Sequence, residues 1–217
     1  MDSSERNVFA QAFDYALHDG ERFRAALGTH LQLVLIAIGI GIAFCVPLGV
    51  LTSRSRFAAL AFINAVNTLR VIPSLAILFL ALPYFGLGRT SALIALTLLA
   101  LPPILINTDT AFRRIDPAIR EAAMGMGMSP AQTLSRVELP LALPVMLAGI
   151  RIALTEVIAS ATLAAFIGAG GLGLYITLGF AQFDNKILLV GAIPVALMAL
   201  CAELGMSALQ RAVQPPR

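Results

Sequence analysis

Apolar residues in this chain come in long uncharged runs. Residues 31–53, 71–88, 90–108, 157–183 and 187–202 contain no Asp, Glu, Lys or Arg. A helix crossing a bilayer needs roughly 20 mainly apolar residues. The runs therefore predict spans near 31–52, 57–82, 90–108, 141–166 and 186–208. They lack the roughly ten-residue alternation of membrane barrel strands, and helices satisfy their own backbone in lipid. The expected fold is all-α: a polytopic membrane protein with five transmembrane helices and its termini on opposite faces.

Two polar segments flank or interrupt this pattern. Residues 1–30 are set apart from a transmembrane domain over 31–217, which carries a polar loop at 109–140. Asp2, Glu5, Asp14, Asp19 and Glu21 precede any apolar run, whereas a secretory signal starts basic. Phe9, Phe13 and Leu17 recur every fourth residue, the spacing of an amphipathic helix lying on a membrane surface. A polar tail with coincidental spacing is the alternative.

The loop holds REAAMGMGMSPAQTLSRVELP, residues 120–140. Asp116 is a good N-cap and Pro117 suits a first helical position. Ile119, Ala122, Ala123 and Met126 then share one face at helical spacing, and Gly127 can close the helix in a left-handed conformation. Ser129 and Gln132 form a capping box around Pro130 and begin a second helix, with Ala131, Leu134 and Val137 on its apolar side. Pro140 and Pro144 punctuate the start of the next span. Each helix has about ten residues, too few to hold itself in water without tertiary packing. The pair must dock on its own spans or on a partner.

Composition narrows the function. The chain is 59% hydrophobic and 12% charged, against about a quarter charged in soluble domains. Eight loop cations (Arg54, Arg56, Arg113, Arg114, Arg120, Arg136, Arg211, Arg217) face five (Arg6, Arg22, Arg24, Arg89, Lys186) across the predicted membrane. The positive-inside bias puts the polar loop and C-terminus in the cytoplasm and the N-terminus outside. The net charge of +3 thus reports topology, not nucleic-acid binding. Cys45 and Cys201 fall in predicted spans without metal-ligand spacing and are expected as small buried hydrophobes.

Catalytic motifs fail. IGAGGLG at 167–173 matches a dinucleotide pattern formally but lacks the strand–turn–helix context. Close helix approach or a helix end breaking into a loop explains it better. The lone lysine, Lys186, has no phosphate-loop glycines, and there is no H-E-x-x-H. No catalytic residue, bound cofactor or metal is expected. Arg70, Arg151, Glu156 and Glu203 lie in or near spans, where charges are functional candidates by default. Arg151 and Glu156 sit about 140° apart around a helix and are no intrahelical pair. Snorkelling near helix ends or contact with another subunit is the competing reading.

Glu121-Ala122-Ala123, three residues, Gly127, nine residues, Val137, one residue, Leu139-Pro140 resembles the EAA motif of binding-protein-dependent ABC importer permeases. Val137 stands where isoleucine is usual. The resemblance runs from about His30 to the C-terminus through VPLGVLTSR, NTLRVIPSLAIL, LPLALPVMLAGIRIA, ATLAAFIGAGGLG and VGAIPVALMAL. These phrases are closest to the osmoprotectant branch, which imports glycine betaine, choline, carnitine and related quaternary amines. The methionine branch shares IGAGGLG.

The resemblance implies a multi-pass permease of the cytoplasmic (inner) membrane, paired with a second copy or a related chain. An extracytoplasmic binding protein would deliver substrate, and a cytoplasmic ATPase dimer would use ATP and Mg2+. Glu121, Ala122, Ala123, Gly127, Val137, Leu139 and Pro140 would couple to that ATPase. Asn67, Arg70, Pro73, Ser74 and Glu156 are the candidates for the translocation path. A permease for methionine or another amino acid is the alternative, and an ion-coupled secondary transporter a further one.

Overall fold

The computed structural model describes residues 7–214, so Asp2, Glu5, Arg6 and Arg217 lie outside the described residues. Within them the chain is helical and no strand occurs. The elements are α1 (Val8–His18), α2 (Gly20–Arg54), α3 (Arg56–Leu69), α4 (Ser74–Phe85), α5 (Arg89–Arg113), α6 (Pro117–Gly125), α7 (Pro130–Thr133), α8 (Leu139–Ala161), α9 (Gly173–Gln182) and α10 (Asn185–Val213). A π turn, Leu134–Glu138, joins α7 to α8, and a 3-10 turn, Leu163–Ile167, follows α8.

The core is a sandwich of α2, α5 and α8, with α10 and α9 on one side. Small residues let these backbones meet, as they must where lipid supplies no hydrophobic drive between helices. On α2, a Cβ at Gly41 would sit 3.3 Å from Ala100, and one at Gly49 would sit 2.6 Å from Thr108. On α8, Gly149 comes equally close to Pro103 and Asn107 of α5. The central cluster of Leu33, Ala37, Leu96, Ala100, Ile104, Ala153 and Val157 is fully enclosed by the chain.

α2, α5, α10 and the run Pro130–Ala161 are each long and apolar enough to cross a membrane. The span expected at 57–82 is instead α3 and α4, bent by 98° at the break. Pro73 lacks an N–H and biases the residue before it away from helix. The intervening turn closes on itself through Val71 N–H to the Thr68 carbonyl and Ile72 N–H to the Leu69 carbonyl. The broken pair still traverses the bundle. α3 starts beside Arg54 at one end of α2, while beyond α4 Arg89 donates to Thr29 near the other end, 2.9 Å away. Those two positions on α2 are about 37 Å apart at 1.5 Å per residue. Counted as one, the pair is the fifth span.

Three further boundaries differ from the sequence pattern. The first span extends outward, because α2 begins at Gly20, ahead of residue 31. The fourth stops at Ala161 and tightens into the 3-10 turn before 166. The second loop helix, expected as a separate short element, continues through the π turn into α8. Pro140 explains the irregularity: its ring and missing N–H disfavour a regular α-helix. A π-type bond from Leu139 N–H to the Leu134 carbonyl carries the helix past it. Pro140 and Pro144 therefore lie inside a continuous 32-residue run and do not interrupt it.

α1 forms at the far end from α6 and packs Ala12 and Ala16 against the start of α10. Phe9, Phe13 and Leu17 face away from the protein together, matching the amphipathic spacing. Cys45 is buried, whereas Cys201 is exposed on α10, contrary to expectation. It shares the outer stripe of Leu197, Leu200 and Leu204, which the chain leaves open to lipid or to another subunit.

Candidate functional site

The loop between α5 and α7 is built from its ends inward. The Asp116 carboxylate accepts from Ala118 N–H at 2.9 Å and starts α6, with Pro117 at its first turn. At the other end Gly127 N–H donates to the Met124 carbonyl and Met128 N–H to the Ala123 carbonyl. This is a Schellman closure, which requires the left-handed φ of +85° that Gly127 adopts. Both bonds of the Ser129–Gln132 capping box form. The two caps close the end of α6 and open α7 through local hydrogen bonds.

The apolar face expected on α6 divides. Ala123 alone is buried against the chain, while Ile119, Ala122, Met124 and Met126 are exposed beside Glu121. Met126 is 72% exposed. Among the other motif positions Gly127, Leu139 and Pro140 are exposed, and Val137 is half-buried. The exposed side of α6 thus carries apolar side chains and one carboxylate, Glu121, outside the membrane-spanning runs.

Beneath that patch lies an ionic node. Glu138 is 1% exposed. Its Oε1 accepts from Arg120 Nε on α6, and its Oε2 accepts from Arg54 Nη2 at the end of α2. Arg120 also donates to the Phe112 carbonyl at 2.6 Å. Nearby, Asp109 pairs with Arg113 at 2.8 Å, and Arg113 donates to the Thr52 carbonyl at 2.7 Å. Two guanidinium groups thus cap the C-terminal carbonyls of α2 and α5, where helix dipoles favour cations. Glu138 is the buried member of the node, while the Arg54 and Arg120 side chains are partly exposed.

Arg54 and Arg120 entered the sequence reading only as topology charges, and Glu138 and Asp109 not at all. One signal was present: Glu138 is a lone acid in the otherwise apolar stretch 137–147. A carboxylate entering a span demands a cation from elsewhere in the fold.

The second group of candidates gathers at the break between α3 and α4. Asn67, Arg70 and Pro73 are exposed there, and Ser74 begins α4. Asn67 uses its carbonyl to accept from Arg70 N–H at 3.1 Å. The Arg70 charge acts on Glu156 of α8, which is half-buried. Opposite charges on α8 and at the end of α3 therefore lie within electrostatic range of each other near the bend between α3 and α4. Arg151 turns elsewhere and pairs with Glu203 of α10 at 3.5 Å.

The glycine run lies at the opposite end of the bundle from α6. Gly168, Gly170 and Gly171 take positive φ values, so the motif is a helix end breaking into a loop. It folds over His30 of α2, whose Nε2 lies 3.2 Å from the Ile158 carbonyl. Among the described residues no cluster of His, Cys, Asp and Glu could hold a metal ion.

Residues 36–215 match the family described as binding-protein-dependent transport system inner membrane component. The chain belongs to this family. The permease is 40% identical over 186 residues to the choline transport system permease protein OpuBB of Bacillus subtilis, covering 86% of each chain. It is 43% identical to the carnitine transport permease protein OpuCB of Listeria monocytogenes, covering 86% of this chain and 85% of that one. Its fold matches that of a solved inward-facing MetNI methionine ABC transporter, with a TM-score of 0.76 at 22% identity over 89% of this chain and 97% of that one. The polar loop with α6 and α7, the broken span and the glycine run all lie inside the family match, while α1 lies outside it.

Proposed function

We propose that the permease forms the translocation path for osmoprotectants such as glycine betaine, choline or carnitine, within an ATP-driven importer. The observation that carries this reading is the roughly 40% identity, over most of both chains, to permeases whose names specify choline and carnitine. The likeness to a methionine transporter is at 22% identity and extends to the fold alone. A methionine or amino-acid substrate is therefore the second reading.

ATP hydrolysis belongs to a separate cytoplasmic ATPase dimer, which docks on the exposed patch of α6. Glu121 makes the polar contact there, and Ala122 permits close approach. The loop and C-terminus face the cytoplasm and the N-terminus lies outside. A binding protein delivers substrate at the outer face, and a second permease copy or a related chain completes the path. Arg70, Glu156, Asn67, Pro73 and Ser74 line it where α3 breaks into α4. An irregular backbone at membrane depth is tolerated where it lines a cavity or is buried in protein.

Uptake of labelled glycine betaine, choline, carnitine and methionine into proteoliposomes holding the whole importer tests the substrate. Exclusive methionine uptake overturns the osmoprotectant reading, and uptake by this chain alone without ATP would point to an ion-coupled carrier. Glu121→Arg tests docking: the ATPase should no longer copurify while membrane insertion is unchanged.

A further inference from the structure

We infer that Glu138 is a positioning residue that transmits movement of α6 to α2, the first long span. The inference rests on the proposed docking of an ATPase on α6. It goes beyond that reading by naming the joint inside the permease. α6 has only one buried side chain, Ala123, so apolar packing alone does not clamp it to the bundle. Arg120 does so by ion pairing with Glu138 and hydrogen bonding to the Phe112 carbonyl at the end of α5. The second oxygen of Glu138 is held by Arg54, which ends α2. One buried carboxylate therefore joins α6, α2 and the helical run that becomes α8.

The two oxygens are used separately, so a displacement of Arg120 pulls on Arg54 through a rigid carboxylate. α2 and α6 are separated in sequence by α3, α4 and α5, and the other link between them runs through the end of α5, where Arg113 donates to the Thr52 carbonyl. The ion pairs are shielded from water on the Glu138 side, where electrostatic contacts weaken least.

The joint also has room to move. A cavity of about 420 Å3 is bordered by Arg54, Arg120, Met124, Thr133 and Glu138. The Thr133 hydroxyl on its wall is buried and has no hydrogen-bond partner. It offers a second partner for the carboxylate or a guanidinium once α6 shifts. The π turn ending at Glu138 belongs to a class of helix irregularity that is frequent at functional sites.

The test uses the complete importer in proteoliposomes, recording ATP hydrolysis and uptake together for Glu138→Gln and Arg54→Met. Arg54→Met leaves the Arg120–Glu138 pair intact and carries the test if Glu138→Gln is not recovered. Both variants should keep the ATPase bound and hydrolysing, while uptake per ATP falls about tenfold, within the range for residues that modulate coupling between sites. Arg54→Lys, which keeps the charge, should restore most of the ratio. An unchanged ratio in Arg54→Met overturns the inference. Parallel loss of hydrolysis and uptake also overturns it, because it marks a stabilising role only. If the parent chain retains no ATPase, the docking reading itself falls, and the transmission role falls with it.

Discussion

Gly173 opens α9 so close to the Thr162 carbonyl that a Cβ placed on it would lie 2.0 Å from that oxygen. Backbone cannot retreat as a side-chain tip can, so Gly173→Ala must push α9 off the turn that follows α8. The expected cost is about 1–3 kcal/mol or more, as for overpacking in a filled interior. Thermal unfolding of the purified permease should show it. Gly205→Ala on α10, where a Cβ meets nothing within 4 Å, should leave the melting temperature unchanged or slightly higher.

Gly127 poses the opposite problem, with open space but a φ of +85°. Gly127→Ala should cost about 1–2 kcal/mol through the left-handed backbone alone. Gly127→Asn should be milder, because Asn tolerates that conformation. The reading of α6 as a docking element predicts ATPase retention in the order Gly, Asn, Ala, with Gly127→Leu weakest. Copurification yields measure this order.

Arg70 and Glu156 can be tested as a pair. Arg70→Gln and Glu156→Gln should each slow uptake while leaving the ATPase bound. Their effects should be non-additive by about 0.5–3 kcal/mol in a double-mutant cycle. Strict additivity would show that the two charges act independently.

Tyr175 is buried and donates to the Asp19 carboxylate at 2.9 Å. Burial first, and Asp19 second, push its pKa above the usual phenol value. The folded protein therefore holds this proton at a pH where the unfolded chain releases it. The resulting stability is present below about pH 10, the ordinary phenol value, and is lost as the pH rises beyond it. Phenolate absorbance should show one tyrosine in the parent that ionises late or only on unfolding. Tyr175→Phe should lack that step and lose about 1 kcal/mol from the missing hydrogen bond.

Local features of the polar loop were legible because their causes are local. Asp116, Ser129 and Gln132 satisfy orphan helix N–H groups from within a few residues, and Gly127 supplies a backbone angle by itself. The spans were legible because lipid demands long uncharged runs. The glycine run left close helix approach and a helix end open, and the fold uses both: Gly168, Gly170 and Gly171 take positive φ, and Gly173 packs against the Thr162 carbonyl. Length and direction were less so: the π turn lets α7 run into α8 past Pro140, and Pro73 turns one apolar run into two helices bent by 98°.

Sequence alone thus determined an all-helical membrane chain with a capped polar loop and an EAA signature, because hydropathy and capping act over short distances. Tertiary structure decided which charges meet. Arg54 and Glu138 are separated by five helices in sequence, α3 to α7, yet they share an ion pair. Arg151 pairs with Glu203 of α10. Charge partners in a bundle are chosen by which helix ends pack together, and packing is a property of the whole set of spans. No window of sequence contains it.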